Sequence, residues 1–207
     1  RNEILRVPTI IPAAGRDKVF PEGPKSLIQI AGRTLLDYQI ESVHKAGLKQ
    51  VVVVRGYEKD QFDGYASDEN LLFCENQLYK ERHVEHSVMQ AVNYMDNGFA
   101  MVYSDILFDP AILNRLVNSV KDIVIGVDSS YAYHRHATDK DLDLVVRRKD
   151  FDGRFRSLNE ETEVEIARVG RRITPNQADY EFIGMAYFSG AGAKILRDVH
   201  RDAVARD

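Results

Sequence analysis

Five short runs rich in Val and Ile, at Val7–Pro12, Gln50–Val54, Leu71–Glu75, Phe99–Tyr103 and Asp122–Val127, are separated by segments with helical patterning. That alternation signals βαβ units and constrains the chain to an α/β fold with a mainly parallel sheet flanked by helices. The helices expected between the strands are Leu35–Ala46, Glu58–Phe62, Val84–Met95 and Pro110–Ser119. Pro110 suits a first helical turn with Asp109 as its N-cap, while Gly47 and Gly98 suit helix ends. A length of 207 residues holds one sizeable α/β domain but not two of ordinary size. Ligands of open parallel sheets bind beyond the carboxyl ends of the strands. Gly15 and Asp105 both follow such ends, so they are expected on one face.

After Val127 the texture changes. The segment Asp128–Lys140 is polar and carries Tyr131, Tyr133, His134, Arg135 and His136. Leu142–Arg147 and Val164–Val169 alternate like a small antiparallel excursion, Glu181–Phe188 reads as a strand, and Ala191–Val204 reads as a helix. The expected organisation is one domain over 1–207 with an acceptor-side insertion over 128–180.

Apolar content of 44% and charged content of 29% describe a globular chain, and a net charge of −4 gives no reason to expect nucleic acid as a partner. An acidic protein that handles phosphates commonly takes Mg2+ to supply the missing positive charge. The single cysteine, Cys74, excludes an internal disulfide and a Cys-based zinc site, and reads as a small apolar residue of its strand. No stretch spans a bilayer and no signal peptide is visible, so no membrane partner and a cytoplasmic location are expected. The chain opens on Arg1 and closes within a charged helix at Asp207, which reads as a piece of a longer protein.

The chemistry concentrates in a few places. Thr9-Ile10-Ile11-Pro12-Ala13-Ala14-Gly15-Arg16-Asp17-Lys18 is an apolar strand running into a small-residue turn with cations, and Pro24-Lys25-Ser26-Leu27 follows. Small residues let backbone N–H groups approach a phosphate chain, and Gly15 is free to take the positive φ of a tight turn. Arg16, Lys18 and Lys25 carry charge to neutralise a triphosphate. The stretch is neither a Walker loop nor a dinucleotide fingerprint. Asp105, after the strand ending at Tyr103, has the position of a Mg2+ ligand; the alternative role of N-cap falls to Asp109. Asn76, after the third strand, and Ser87, within Glu85-His86-Ser87-Val88, suit the polar edge of a pyrimidine, although each alone is more often a turn residue or a cap. Histidines 44 and 200 lie in helical patterns and read as surface decoration; no Ser/His/Asp arrangement or zinc spacing is present.

The loop at Ala13–Lys18, the Pro24-Lys25 pair and the strand-Asp unit at Asp105 together resemble the nucleotidyltransferases that make nucleotide sugars and CDP-alcohols. The usual loop of that family reads Ala-Gly-x-Gly-x-Arg, and here the second glycine is absent and the loop is shorter. Asn76 and a Ser in the helix-start motif, in place of Gly-Thr-Ala, are similar to choline-phosphate and phosphonate cytidylyltransferases. So is the segment Asp128-Ser129-Ser130-Tyr131 through His134-Arg135 to Asp141-Leu142-Asp143-Leu144-Val145. Glu181 before Phe182-Ile183-Gly184 matches an acidic residue of some relatives.

The resemblance implies a Rossmann-like sheet and a metal-dependent transfer. Ala13, Ala14, Gly15, Arg16, Asp17, Lys18, Lys25, Asn76 and Ser87 would bind the nucleotide, and Lys25 and Asp105 would be catalytic, with Mg2+ on Asp105. Asp128, His134, Arg135, Asp143 and Glu181 would face the acceptor. The substrates implied are CTP and a small phosphonate or phosphomonoester: 2-aminoethylphosphonate, 2-hydroxyethylphosphonate or phosphocholine. The alternatives are a sugar-1-phosphate nucleotidyltransferase using UTP, GTP or dTTP, and a nucleotide-binding regulatory domain without turnover. Relatives draw a second metal-binding Asp from a Glu-Ile-Asp-Thr-like segment beyond the last helix. Such a segment is not found up to Asp207, so that ligand is expected further on, and a phosphoenolpyruvate mutase or aminotransferase domain is the expected neighbour.

Overall fold

A run of four valines is too apolar for a half-exposed strand, and Val51, Val52, Val53 and Val54 are all buried to within 1% exposure. Burial is worth about 2 kcal/mol for each such side chain, so this run commits the chain to a strand covered on both faces. The computed structural model describes residues 7–16, 20, 22–80, 84–134, 142–148 and 163–206. They form strands β1 (Thr9–Ala13), β2 (Gln29–Ile30), β3 (Arg33–Thr34), β4 (Val51–Arg55), β5 (Leu71–Glu75), β6 (Gly98–Val102), β7 (Ile123–Asp128), β8 (Leu144–Arg147), β9 (Ile166–Gly170) and β10 (Tyr180–Ser189). The α-helices are α1 (Leu35–Lys45), α2 (Val84–Met89), α3 (Pro110–Val117) and α4 (Gly190–Val204). Two compact units result: Arg1–Ile125 with Gly184–Asp207, and Gly126–Ile183.

In the larger unit β5, β4, β1 and β6 are parallel neighbours in that order. The end of β10, Met185–Ser189, runs antiparallel against β6, which makes the sheet mixed but mainly parallel. Ile10, Val52 and Val54 share one face and pack with Val88, Ala91, Met95, Phe99 and Ala193. Phe99 and Phe188 stack with centroids 4.8 Å apart across the β6–β10 pair. Gly192 is fixed by packing, since a Cβ there would lie 2.0 Å from the Asp122 carbonyl.

The smaller unit holds the antiparallel excursion. There β8 pairs with β9, and Tyr180 and Glu181 pair with Val145 and Leu144. Its own small core is Tyr131, Leu144 and Ile173.

Several local expectations change. Val84–Met95 is not one helix: after α2 the chain tightens into a 3-10 turn at Val92–Tyr94. Bonds of the i,i+3 type, Ala91 to Val88 and Tyr94 to Ala91, mark the tightening, while Val88, Ala91 and Met95 stay buried at the i, i+3, i+7 spacing that suggests one continuous helix. Glu58–Phe62 becomes a 3-10 segment, Lys59–Tyr65, entered through a left-handed Glu58. A hairpin of β2 and β3 was not foreseen; Ala31 (φ 51°) and Gly32 (φ 83°) both adopt the left-handed region that its two-residue turn requires. The caps stand as expected: the Asp109 side chain accepts from Ala111 N–H at 2.8 Å, and Gly47 ends α1 at φ 93°.

The hairpin delivers Thr34 to the start of α1 as half of a capping box. Thr34 Oγ1 accepts from Asp37 N–H at 3.0 Å, and Asp37 Oδ2 accepts from Thr34 N–H at 2.8 Å. Tyr65 donates to Asp37 Oδ1 at 2.8 Å and also contacts the Thr34 hydroxyl. Burial pushes the Tyr65 phenol up to about 12. Burial also raises Asp37, but the Thr34 and Tyr65 hydrogen bonds outweigh it and hold its carboxyl below the usual range. A depressed carboxyl adds stability that is fully present above its unfolded value near 4 and is lost as pH falls through the folded value. Asp37→Asn should therefore lower Tm at neutral pH, and the gap from wild type should close in melts taken progressively below about pH 4. A gap constant across that range would show that Asp37 titrates without linkage to folding.

Candidate functional site

The site begins with a missing donor. The Pro8 carbonyl accepts from Ala100 N–H at 2.9 Å, so the even-numbered backbone groups of β1 face β6. Pro12 has the same parity and no N–H, and the β1–β6 ladder stops at Ile10↔Met101, while β1 continues beside β4 to Ala13. Hydrogen bonding between the two strands therefore ends before their carboxyl ends, beyond which Ala13–Arg16 and Tyr103–Asp105 follow at the point where the strand order reverses. This is the crevice that an open parallel sheet offers to a ligand.

Lys25 reaches the same place from a 3-10 turn, Lys25–Leu27, that follows an extended Pro24. Its Nζ lies 3.1 Å from Asp105 Oδ2, joining two residues 80 positions apart. The side chains are 33% and 42% exposed, so the pair is open to solvent. A pair that exposed is worth roughly 0.2–1 kcal/mol, too little to explain it as a device for stability. The turn carrying Asp105 is anchored from beneath by Gln39 of α1. Gln39 is fully buried, and its Nε2 donates at 2.8 Å to both the Tyr103 and Ile106 carbonyls. Sequence reasoning missed Gln39; the available signal was a polar residue in the buried register of Leu35, Leu36 and Val43.

On the other side of the crevice, Ala13 and Ala14 are buried while Gly15 and Arg16 are exposed. Gly15 does not adopt the positive φ expected of it. The Ala14 carbonyl accepts from Tyr57 N–H at 2.9 Å, which carries the chain onward beside the β4 loop, so no reversal is needed there. A Cβ on Gly15 would meet nothing within 4 Å, leaving its backbone open to an incoming group. Arg16 sits over the Tyr57 ring, 5.3 Å from its centroid. Asp17 and Lys18 lie outside the described residues.

Gly56 is the tighter glycine and was also missed. A Cβ there would stand 2.9 Å from Ala14 Cβ and 3.0 Å from the carbonyl oxygens of Ala14 and Asn76. The loops after β1, β4 and β5 thus meet at one backbone junction. Asn76 and Ser87 are brought together: Asn76 Nδ2 donates to Ser87 Oγ at 2.9 Å, and Asn76 Oδ1 accepts from Leu78 N–H at 2.9 Å. Both are buried, at 1% and 7% exposure, so they fix the β5 loop against α2. Each keeps one further hydrogen to donate: the second amide hydrogen of Asn76 and the Ser87 hydroxyl hydrogen.

In the smaller unit, Asp128 accepts from the Ser130 N–H and hydroxyl, both at 2.7 Å, and lies 3.2 Å from His134 Nε2. Burial raises the Asp128 carboxyl, but the Ser130 bonds and His134 overcome it and hold it below the usual range. Asp143 is held by Arg171 Nε at 3.2 Å, and Glu181 sits in β10 opposite Leu144. Arg135 lies outside the described residues. Histidines 44 and 200 are on α1 and α4, with His44 Nε2 3.1 Å from the Lys49 carbonyl. Cys74 is half-buried, and that burial pushes its thiol up, away from reactivity.

Among the described residues no three His, Cys, Asp or Glu side chains cluster to hold a metal, and no helix is long and apolar enough to cross a membrane. One partly exposed carboxylate at the crevice suits Mg2+ that arrives with a triphosphate, since this ion keeps several waters and takes phosphate oxygens besides one or two carboxylates. It does not suit a resident ion in an all-protein cage.

Comparison with known proteins agrees with this arrangement. The chain is 26% identical over 133 residues to the CTP:phosphoglutamine cytidylyltransferase of Campylobacter jejuni, which covers 59% of this chain and 53% of that protein. It is 29% identical over 125 residues to the bifunctional protein GlmU of Francisella tularensis subsp. novicida, covering 59% of this chain and 27% of that one. The match therefore spans about half the length, or less, of these relatives. In fold it is similar to the CTP:phosphocholine cytidylyltransferase of Streptococcus pneumoniae, with a TM-score of 0.64 at 18% identity over 98% of this chain and 79% of that one. The family model for the MobA-like NTP transferase domain matches residues 9–165, and with that match across the crevice, its two loops and the Lys25–Asp105 pair, the chain belongs to this family of the nucleotidyltransferase superfamily.

Proposed function

We propose that this chain transfers CMP from CTP to a phosphonate or phosphate oxygen of a small acceptor. The observation that carries the reading is the Lys25–Asp105 contact at 3.1 Å, a cation and an anion held ready at the mouth of the β1–β6 crevice. An exposed pair contributes little to folding, so its placement is explained by chemistry. The acceptor oxyanion attacks the α-phosphorus in line; its new P–O bond forms as the bond to the β-phosphate oxygen breaks, and pyrophosphate leaves with that electron pair. The attacking oxygen is already ionised at neutral pH, so the protein has no nucleophile to supply.

Positioning and charge neutralisation remain for the chain's residues to provide. Mg2+, when bound with the triphosphate, offsets the charge that builds in transfer, and Asp105 is the residue that would hold it. Lys25 exchanges Asp105 for a phosphate oxygen. The open backbone at Ala14–Gly15, with Arg16 and the neighbouring Asp17 and Lys18, lines the phosphate chain. The free hydrogens of Asn76 and Ser87 suit a cytosine edge. The choice of CTP is supported by that pair and by similarity to a CTP-named relative. Acceptor recognition falls to the 128–180 insertion with Asp128, His134, Arg135, Asp143 and Glu181. The acceptor class is 2-aminoethylphosphonate, 2-hydroxyethylphosphonate or phosphocholine.

The identity of the substrates is tested by pyrophosphate release with CTP, UTP, GTP and dTTP against phosphonates, phosphocholine and sugar 1-phosphates. CTP with a phosphonate or phosphocholine is expected to lead. Turnover confined to UTP, GTP or dTTP with a sugar 1-phosphate would replace this reading by the sugar-nucleotide one, and nucleotide binding without turnover would make the domain regulatory. For the site, Asp105→Ala should lower kcat on the order of a hundredfold or more with Tm nearly unchanged. Lys25→Ala should lower the rate and raise KM for the triphosphate, again with little change in Tm. Wild-type kinetics in either folded variant removes that residue from the mechanism.

A further inference from the structure

We propose that Gln39 is the positioning residue for Asp105: its one amide nitrogen sets the turn from which that carboxylate works. The proposal rests on the role given to Asp105 above. Gln39 is completely buried in α1, on the face otherwise made by Leu35, Leu36 and Val43, where an apolar residue would pack without any polar cost. Its two amide hydrogens go to the carbonyls of Tyr103 and Ile106, at 2.8 Å each, and these carbonyls bracket Ser104 and Asp105. Its own Oε1 is buried and has no partner among the described residues.

A half-satisfied buried amide is a poor way to stabilise a core, because the unpaired acceptor loses its hydration for nothing. What the side chain achieves is geometric. The Tyr103 N–H is already tied to the Gly184 carbonyl at 2.9 Å. With the carbonyls at both ends of the turn drawn to a single nitrogen, Asp105 has little freedom to leave the reach of Lys25. Gly184 keeps the approach open: at φ 79° it carries no Cβ, which would stand 2.8 Å from the Tyr103 ring.

The test compares Gln39→Met, close in size but without donors, with Val43→Ala, a fully buried α1 neighbour whose apolar side chain makes no hydrogen bond. Amide hydrogen exchange needs no substrate. In Gln39→Met the Tyr103 amide, which donates to the Gly184 carbonyl at the start of the turn, should exchange at least about tenfold faster than the change in global stability accounts for, whereas in Val43→Ala it should follow global stability. In turnover Gln39→Met should lose about 10–100-fold in kcat, and the double variant with Asp105→Ala should be no slower than Asp105→Ala alone. Tyr103 amide exchange that follows global stability equally in both single variants, or strictly additive losses in the double variant, overturns the proposal. If the wild-type chain transfers no nucleotide, the transferase reading fails by itself, and the exchange comparison still decides whether Gln39 holds the turn.

Discussion

An absent hydrogen-bond donor shapes the functional half of this molecule. Pro12 stands on the β6-facing side of β1, and the ladder to β6 ends before it. Had that position carried an N–H, the ladder could have continued. Because the pairing stops there, the loop at Ala14–Arg16 and the turn at Tyr103–Asp105 become two walls instead of one surface. Lys25 then enters from the segment between β1 and the hairpin, and Gln39 braces the far wall from below. Sheet, helix and loop are thus joined by a few polar contacts at the place where the regular backbone pairing gives out.

Magnitudes separate the groups that build this chain from those that work in it. The buried Val51–Val54 run and its neighbours supply stabilisation at about 2 kcal/mol per side chain. The Lys25–Asp105 pair supplies a fraction of that, and Gln39 buries an acceptor that nothing among the described residues satisfies. The proposed chemistry falls on groups of this second kind, which contribute little to folding and are nevertheless held in one geometry. The Asp37–Thr34–Tyr65 cluster is the contrasting case: its bonds close on one another and cap α1.

Much of this was legible from sequence because it rests on local pattern. Val and Ile runs separated by helical spacing fix the parallel strands, and Asp109-Pro110 and Gly47 fix helix ends by their own backbone chemistry. That Gly15 and Asp105 would share a face could be anticipated since each follows a strand end, whereas the contacts of Lys25 with Asp105 and of Asn76 with Ser87 emerge only in the fold. What escaped depends on partners remote in sequence. Gly56 is a glycine because backbone from Ala14 and Asn76 fills the space around it. Gln39 reads as an ordinary interruption of an apolar helix face until the carbonyls above it are known. The β2–β3 hairpin hid behind Ala31, an unusual residue at positive φ, and the 3-10 turn after α2 hid behind the spacing of Val88, Ala91 and Met95, which fits a continuous α-helix.

The closeness of Lys25 to Asp105 has an electrical consequence at a distance. Opposite charges 3.1 Å apart act on anything far away as a dipole, whose field dies off faster than that of a bare cation and is weakened further by salt. The pair therefore adds almost nothing to the long-range capture of a polyanion by a chain whose net charge is already −4. Only once a ligand has arrived and drawn the two apart does each charge act at full strength, and only on what touches it. On the proposed reading the contact is a concealed charge, silent to passing anions and disclosed only to a triphosphate that enters.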